Sequence, residues 1–174
     1  HELPEDLSLK SKPSSNTIPS RIGLDDDFLR LIGLWIADGC YDKNSVILSV
    51  QEKETSDLVK RVSEKLGIKT KWHTDGFSLM INSKPLKQVK KRVRGRVGDS
   101  YTKKIPSWIF GLSKRQIGNV LNGLFSGDGC VSDKEITMSL RSAGLIKDTQ
   151  TLLLNLGIIG RVNERAGFHH CRIS

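Results

Sequence analysis

The amino-acid sequence predicts an α+β fold made of two similar halves, and three observations carry that expectation: a gapless internal repeat, an apolar helical stripe opening each copy, and an alternating strand behind each stripe. Shifting the chain by 90 residues lays 31–68 on 121–158 with ten of the 38 pairs identical, including Gly33/Gly123, Leu34/Leu124, Asp38/Asp128, Gly39/Gly129 and Cys40/Cys130. Duplication is the economical reading.

Each copy opens with a helix. Asp25 to Asp27 supply a cap and first-turn acids to the first, whose Phe28, Leu31, Ile32, Trp35 and Ile36 recur at spacings of three and four. Ser113 and Gln116 form a capping box for the second, with Ile117, Val120, Leu121, Leu124 and Phe125 repeating the stripe. Both end at Asp-Gly, where a left-handed glycine is expected to stop the helix. A strand follows, with Val46, Leu48 and Val50 on one face of the first copy and Ile136, Met138 and Leu140 on that of the second. A second helix, over 56–66 in the first copy, then closes on Gly67 or Gly157, and short strands carry Lys69, Lys71 and His73, or Arg161, Asn163 and Arg165, at alternate positions. The expected order in each half is α-β-β-α-β-β. Residues 1–22 read as a linker or N-terminal extension, 23–112 as the first half with a basic connector, and 113–174 as the second half, which ends before an equivalent of that connector. A start at His1 within a Ser-, Pro- and Lys-containing segment suggests a piece excised from a longer protein.

Composition narrows the partners. Lys and Arg outnumber Asp and Glu, 28 to 19, leaving a net charge of +9 that suits a polyanion. No apolar run approaches the roughly 20 residues of a membrane span, so a cytoplasmic protein with access to the nucleoid is expected. Cys40, Cys130 and Cys171 form no metal-binding pair and are expected to be reduced and buried, and His169-His170-Cys171 reads as a strand edge.

The motif helices carry the chemistry. Gly33 and Ala37, like Gly123 and Gly127, stand four residues apart, a spacing of small residues that lets two helix backbones approach. Packing on those faces brings Asp38 and Asp128 together at two negative dipole ends, an arrangement that asks for a cation. Hard divalent ions such as Mg²⁺ suit paired carboxylates and phosphate oxygens. The alternating polar positions Ser49, Gln51, Lys69, Lys71 and His73, and Thr137, Ser139, Arg141, Arg161, Asn163 and Arg165, offer hydrogen-bonding groups at the two-residue repeat a major groove accepts. Lys90, Lys91, Arg92, Arg94 and Arg96 in the connector suit phosphate contact.

The runs Leu31-Ile-Gly-Leu-Trp-Ile-Ala-Asp-Gly39 and Leu121-Asn-Gly-Leu-Phe-Ser-Gly-Asp-Gly129 resemble the dodecapeptide motif of the LAGLIDADG homing endonucleases, in the two-motif single-chain form found in inteins. The resemblance implies a pseudo-twofold monomer whose antiparallel sheets form a saddle on double-stranded DNA, with Mg²⁺-dependent cleavage of both strands at a long site. It implies catalytic acids at Asp38 and Asp128, with Gly39 and Gly129 beside them in the metal set. Gln51 and Arg141 take the place of the residues that order water, and Lys103 or Lys104, Lys103 preferred, that of the lysine before Ile-Pro. An intein splicing domain is the implied fusion partner. The alternative on the same scaffold is a non-cleaving DNA or RNA binder of maturase-like or regulatory type, or a structural intein insert.

Overall fold

The computed structural model describes residues 6–8, 21–42, 45–82 and 100–173. Lys90, Lys91, Arg92, Arg94 and Arg96 lie outside the described residues. Within the stretch read as a linker, β1 (Asp6–Ser8) pairs antiparallel with β2 (Arg21–Gly23), and Ile22 enters the core.

The first half comprises α1 (Asp26–Asp38), β3 (Cys40–Asp42), β4 (Ser45–Ser49), α2 (Lys53–Lys65), β5 (Thr70–Trp72) and β6 (Ser78–Asn82). A 3-10 turn, Ser107–Gly111, leads to the second half: α3 (Lys114–Asp128), β7 (Gly129–Val131), β8 (Ile136–Leu140), α4 (Ala143–Asn155), β9 (Arg161–Arg165) and β10 (Phe168–Ile173). Each half therefore has the expected order and one antiparallel four-stranded sheet, β3-β4-β6-β5 or β7-β8-β10-β9. Among the described residues no helix is long and apolar enough to cross a membrane.

Local chemistry fixes the helix ends. Asp25 caps α1 by accepting from the Phe28 amide at 2.9 Å, and Ser113 and Gln116 close the capping box of α3. Helix α2 begins at Lys53, three residues before the expected start, and Lys53 pairs with Asp57 one turn on. Both second helices end in a Schellman arrangement: Gly67 donates to Glu64 and Ile68 to Ser63, while Gly157 donates to Leu154 and Ile158 to Leu153. Gly67 and Gly157 have φ of 68° and 82°, where a side chain would be strained.

The motif helices end differently from expectation. Gly39 (φ −62°, ψ 117°) and Gly129 (φ −89°, ψ 156°) are extended, not left-handed. Glycine is needed there for space, because a Cβ on Gly39 would lie 2.3 Å from the Trp35 carbonyl oxygen and one on Gly129 2.4 Å from that of Phe125. The chain thus turns from each helix straight into a strand.

Helices α1 and α3 lie parallel at the centre, and their backbones touch. A Cβ on Gly33 would stand 2.0 Å from the Val120 carbonyl oxygen, one on Gly123 1.9 Å from that of Arg30, and one on Gly127 2.6 Å from the Ala37 Cβ. At the N-terminal end Asp26 accepts from Arg115 at 2.6 Å and from Asn119 at 2.8 Å. Around this seam Leu29, Ile32, Leu34, Val120 and Leu124 are almost fully buried in a core shared by both halves.

Candidate metal centre and nucleic-acid face

Parallel packing in register brings the C-terminal ends of α1 and α3 together. The position of a Gly127 Cβ lies 3.8 Å from the Asp38 Cβ, so the two acids leave adjacent turns of adjacent helices. Neither helix has a basic residue in its last turn to offset the converging negative dipole ends. Burial pushes the Asp128 carboxyl up to about 6, with the charge of Asp38 adding to the rise and Lys103 opposing it. Burial also raises Asp38, again against Lys103. Asp128 Oδ2 is buried without a hydrogen-bond partner among the described residues. An acceptor-only oxygen beside a second carboxylate is a place a hard divalent cation fits.

Lys103 supplies the positive charge. Its Nζ donates to the Ala37 carbonyl at the end of α1, and it is half-buried, whereas Lys104 is exposed and lays its stem against Gly144. Two bonds tie this part of the connector to the second half: Ser142 Oγ, which caps α4, donates to the Lys103 carbonyl at 2.6 Å, and the Ile105 amide donates to Asp148 at 2.9 Å.

Beyond the acids the two sheets present matching outer faces. Strand register sets Cys40 beside Ile47, Ile47 beside Met80 and Met80 beside Lys71. In the second half the same row is Cys130, Thr137, Arg172 and Arg161. The next row holds Ser49 and Ser78 in one sheet, and Ser139, His170 and Asn163 in the other, with Ser139 Oγ 2.7 Å from His170 Nδ1. Gln51 is exposed beyond the end of β4, while Lys69 and His73 flank β5. Arg141 sits between two aromatic rings, 5.4 Å from the Tyr101 centroid and 4.6 Å from that of Phe168, and donates to the Tyr101 hydroxyl at 2.8 Å. Phe168 and Arg165 are register partners.

Two sequence expectations need correction. Only Cys171 is buried, because Cys40 and Cys130 fall on the outer faces as each chain leaves its motif. The His169-His170-Cys171 run lies in β10, between β8 and β9 and not at an edge. Its residues alternate faces: His169 lies 3.7 Å from Glu164, His170 meets Ser139, and Cys171 enters the core. No cluster of metal-ligating side chains of three or more occurs among the described residues. His170, Arg172 and Phe168 also stand on the outer face, where the period of two along 168–173 marks them; Ile47 and Met80 join them there although nothing in an apolar side chain signals an outward position.

Paired acids at the join of two pseudo-equivalent halves, each half bearing one antiparallel four-stranded sheet, define a two-motif helix-seam protein. The chain belongs to the LAGLIDADG-like domain family, which matches residues 25–94 and 115–173. It is 31% identical over 169 residues to the uncharacterized protein MJ1054 of Methanocaldococcus jannaschii, and 28% identical over 161 residues to the DNA-directed RNA polymerase subunit Rpo1C of that organism. These matches take in 87% and 88% of the chain, which spans about a fifth (19%) of each relative's length. Among solved structures it resembles I-DmoI in complex with DNA and Mn (TM-score 0.62, 18% identity, 87% of this chain and 91% of that one). It also resembles full-length DUF199/WhiA from Thermatoga maritima (TM-score 0.61, 13% identity, 87% and 51%). At these identities the structures speak for the fold.

Proposed function

We propose that this chain is a site-specific endonuclease domain that binds double-stranded DNA and, with a divalent metal, hydrolyses both strands. The observation that carries the reading is the acid pair: scaffolding alone gives no reason to place two carboxylates together at converging helix C-termini, one of them raised to about 6. Asp38 and Asp128 would hold Mg²⁺ or a similar ion, with Gly39 and Gly129 at the same turn. Such an ion supplies a lowered pKa for bound water and neutralises the charge developing on phosphate oxygens. Lys103 holds positive charge at the end of α1, where a scissile phosphate would approach. Gln51 and Arg141, at the ends of equivalent strands, orient water or phosphate on either side. The net charge of +9 and the Thr137, Arg172 and Arg161 row of the second sheet support duplex DNA as substrate, as does the DNA bound to I-DmoI. A unit matching a fifth of an RNA polymerase subunit suits a module carried inside a longer host chain, as in an intein, acting in the cytoplasm where DNA is exposed.

The second reading is a DNA binder on the same scaffold that does not cut, favoured by the outer polar rows of the second sheet, which would contact a duplex whether or not the acids hold a metal. Incubation with plasmid carrying the cognate insertion site and Mg²⁺ separates the two. Wild type should linearise the plasmid, and Asp38→Asn or Asp128→Asn should bind it with at most a few-fold change while cleaving about a thousandfold more slowly or worse. Binding without cleavage by wild type, or equal cleavage by the Asn variants, refutes the endonuclease.

A further inference from the structure

The equivalent rows on the two sheets differ in chemistry. In the first, Ile47 and Met80 are register partners, both half-buried on the outer face, with Cys40 and Lys71 at the ends. In the second, Thr137 and Arg172 occupy those two places and Arg161 stands in the place of Lys71. One half thus offers a patch without hydrogen-bonding groups, where the other offers two exposed guanidinium groups.

Base edges respond to that difference. Thymine projects a C5 methyl into the major groove, and an apolar side chain covers it without loss. The same side chain against cytosine N4 or guanine O6 strips water from a polar atom and returns no hydrogen bond. Arginine makes the opposite choice, because its terminal nitrogens match guanine O6 and N7 together. Arg172 is held for this by an ion pair, its Nε lying against the Glu135 carboxylate while over half of the arginine side chain is exposed.

We propose that the two sheets read half-sites of opposite base character, with a thymine facing Ile47 and Met80 in one half and a guanine facing Arg172 and Arg161 at the equivalent position of the other. This rests on the reading that both outer faces lie in a DNA major groove.

The test is selection of binding sites from a randomised duplex library in EDTA, so that cleavage plays no part, with wild type, Met80→Arg and Arg172→Met. Wild-type sites should carry thymine and guanine at positions equidistant from the site centre. Met80→Arg should shift the thymine position to guanine, and Arg172→Met should lose the guanine, each by about tenfold to a hundredfold in preference and without change in the opposite half. Enriched sites in which these positions show no such bias, or whose bias ignores the swaps, overturn the inference and leave DNA binding intact. Failure to enrich any duplex overturns the DNA-binding reading and this inference with it.

Discussion

Asp128 is costly to keep where it stands. An aspartate near 3.8 in the unfolded chain and near 6 in the folded one binds its proton more readily when folded. The native state therefore has an advantage at low pH that is lost as pH rises from about 3.8 through 6, and above that the ionised pair weighs against folding. Replacing the acid removes the cost. Asp128→Asn in EDTA should match wild type at pH 4 and exceed it by about 1 to 2 kcal/mol at pH 7.5, allowing for partial solvent contact. Urea denaturation at the two values measures this, and a variant less stable at pH 7.5 would make Asp128 a structural residue. Adding Mg²⁺ at pH 7.5 should raise the stability of wild type and leave the variant unchanged, as expected where a site is kept for function at the expense of stability.

At the level of elements the helix seam decides the fold, and its glycines are not equivalent to others in the same helix. Gly33→Ala or Gly123→Ala sets a methyl within about 2 Å of a facing carbonyl oxygen, so the helices must part. A loss of about 3 kcal/mol is expected. Gly118, also in α3, has nothing within 4 Å of its Cβ position, and Gly118→Ala should stabilise by about 0.5 to 1 kcal/mol. Thermal melts of the three variants decide this, and equal effects would mean the seam is not as close as described. The seam was legible in the sequence because small residues four apart, repeated at equal offsets, have few other uses. The capping box and the second-helix glycines were legible for the same reason, being local chemistry. What the repeat could not reveal was burial: Val46 is 3% exposed and its counterpart Ile136 37%, though both have the same place in the pattern. Nor could it show that Gly39 and Gly129 serve a close contact, because that depends on where the Trp35 and Phe125 carbonyls point. At the site, the acids could be read from their repeat and Lys103 preferred from its place before Ile-Pro, whereas the contact of Lys103 with the Ala37 carbonyl depends on how the chain folds back on α1.

Across the whole molecule the halves are alike in plan and unequal in cover. The second leaves Val131 and Ile159 75% exposed, while in the first Val46, Ile68 and Ile81 are all below 9%. The buried residues of the second half, from Val120 and Leu124 at the seam to Leu145, Ile146 and Leu152 in α4, belong to one core cluster continuous with the first half. Unfolding the second half would uncover the α1 face and release the Ser142–Lys103 and Ile105–Asp148 ties, taking the first half with it. A single cooperative transition follows. With Trp72 and Trp108 replaced by Phe, Trp35, buried in α1, reports the first half by fluorescence, and far-UV circular dichroism reports both. The two signals should give one urea midpoint, and that midpoint should move for both probes together in Leu152→Ala, whose side chain lies wholly in the core of α4. If Leu152→Ala shifts the dichroism and leaves the tryptophan signal in place, the halves fold independently and the shared seam is only a contact. Coupling of this kind would also keep Asp38 and Asp128 in register, since neither half could loosen without dissolving the pair.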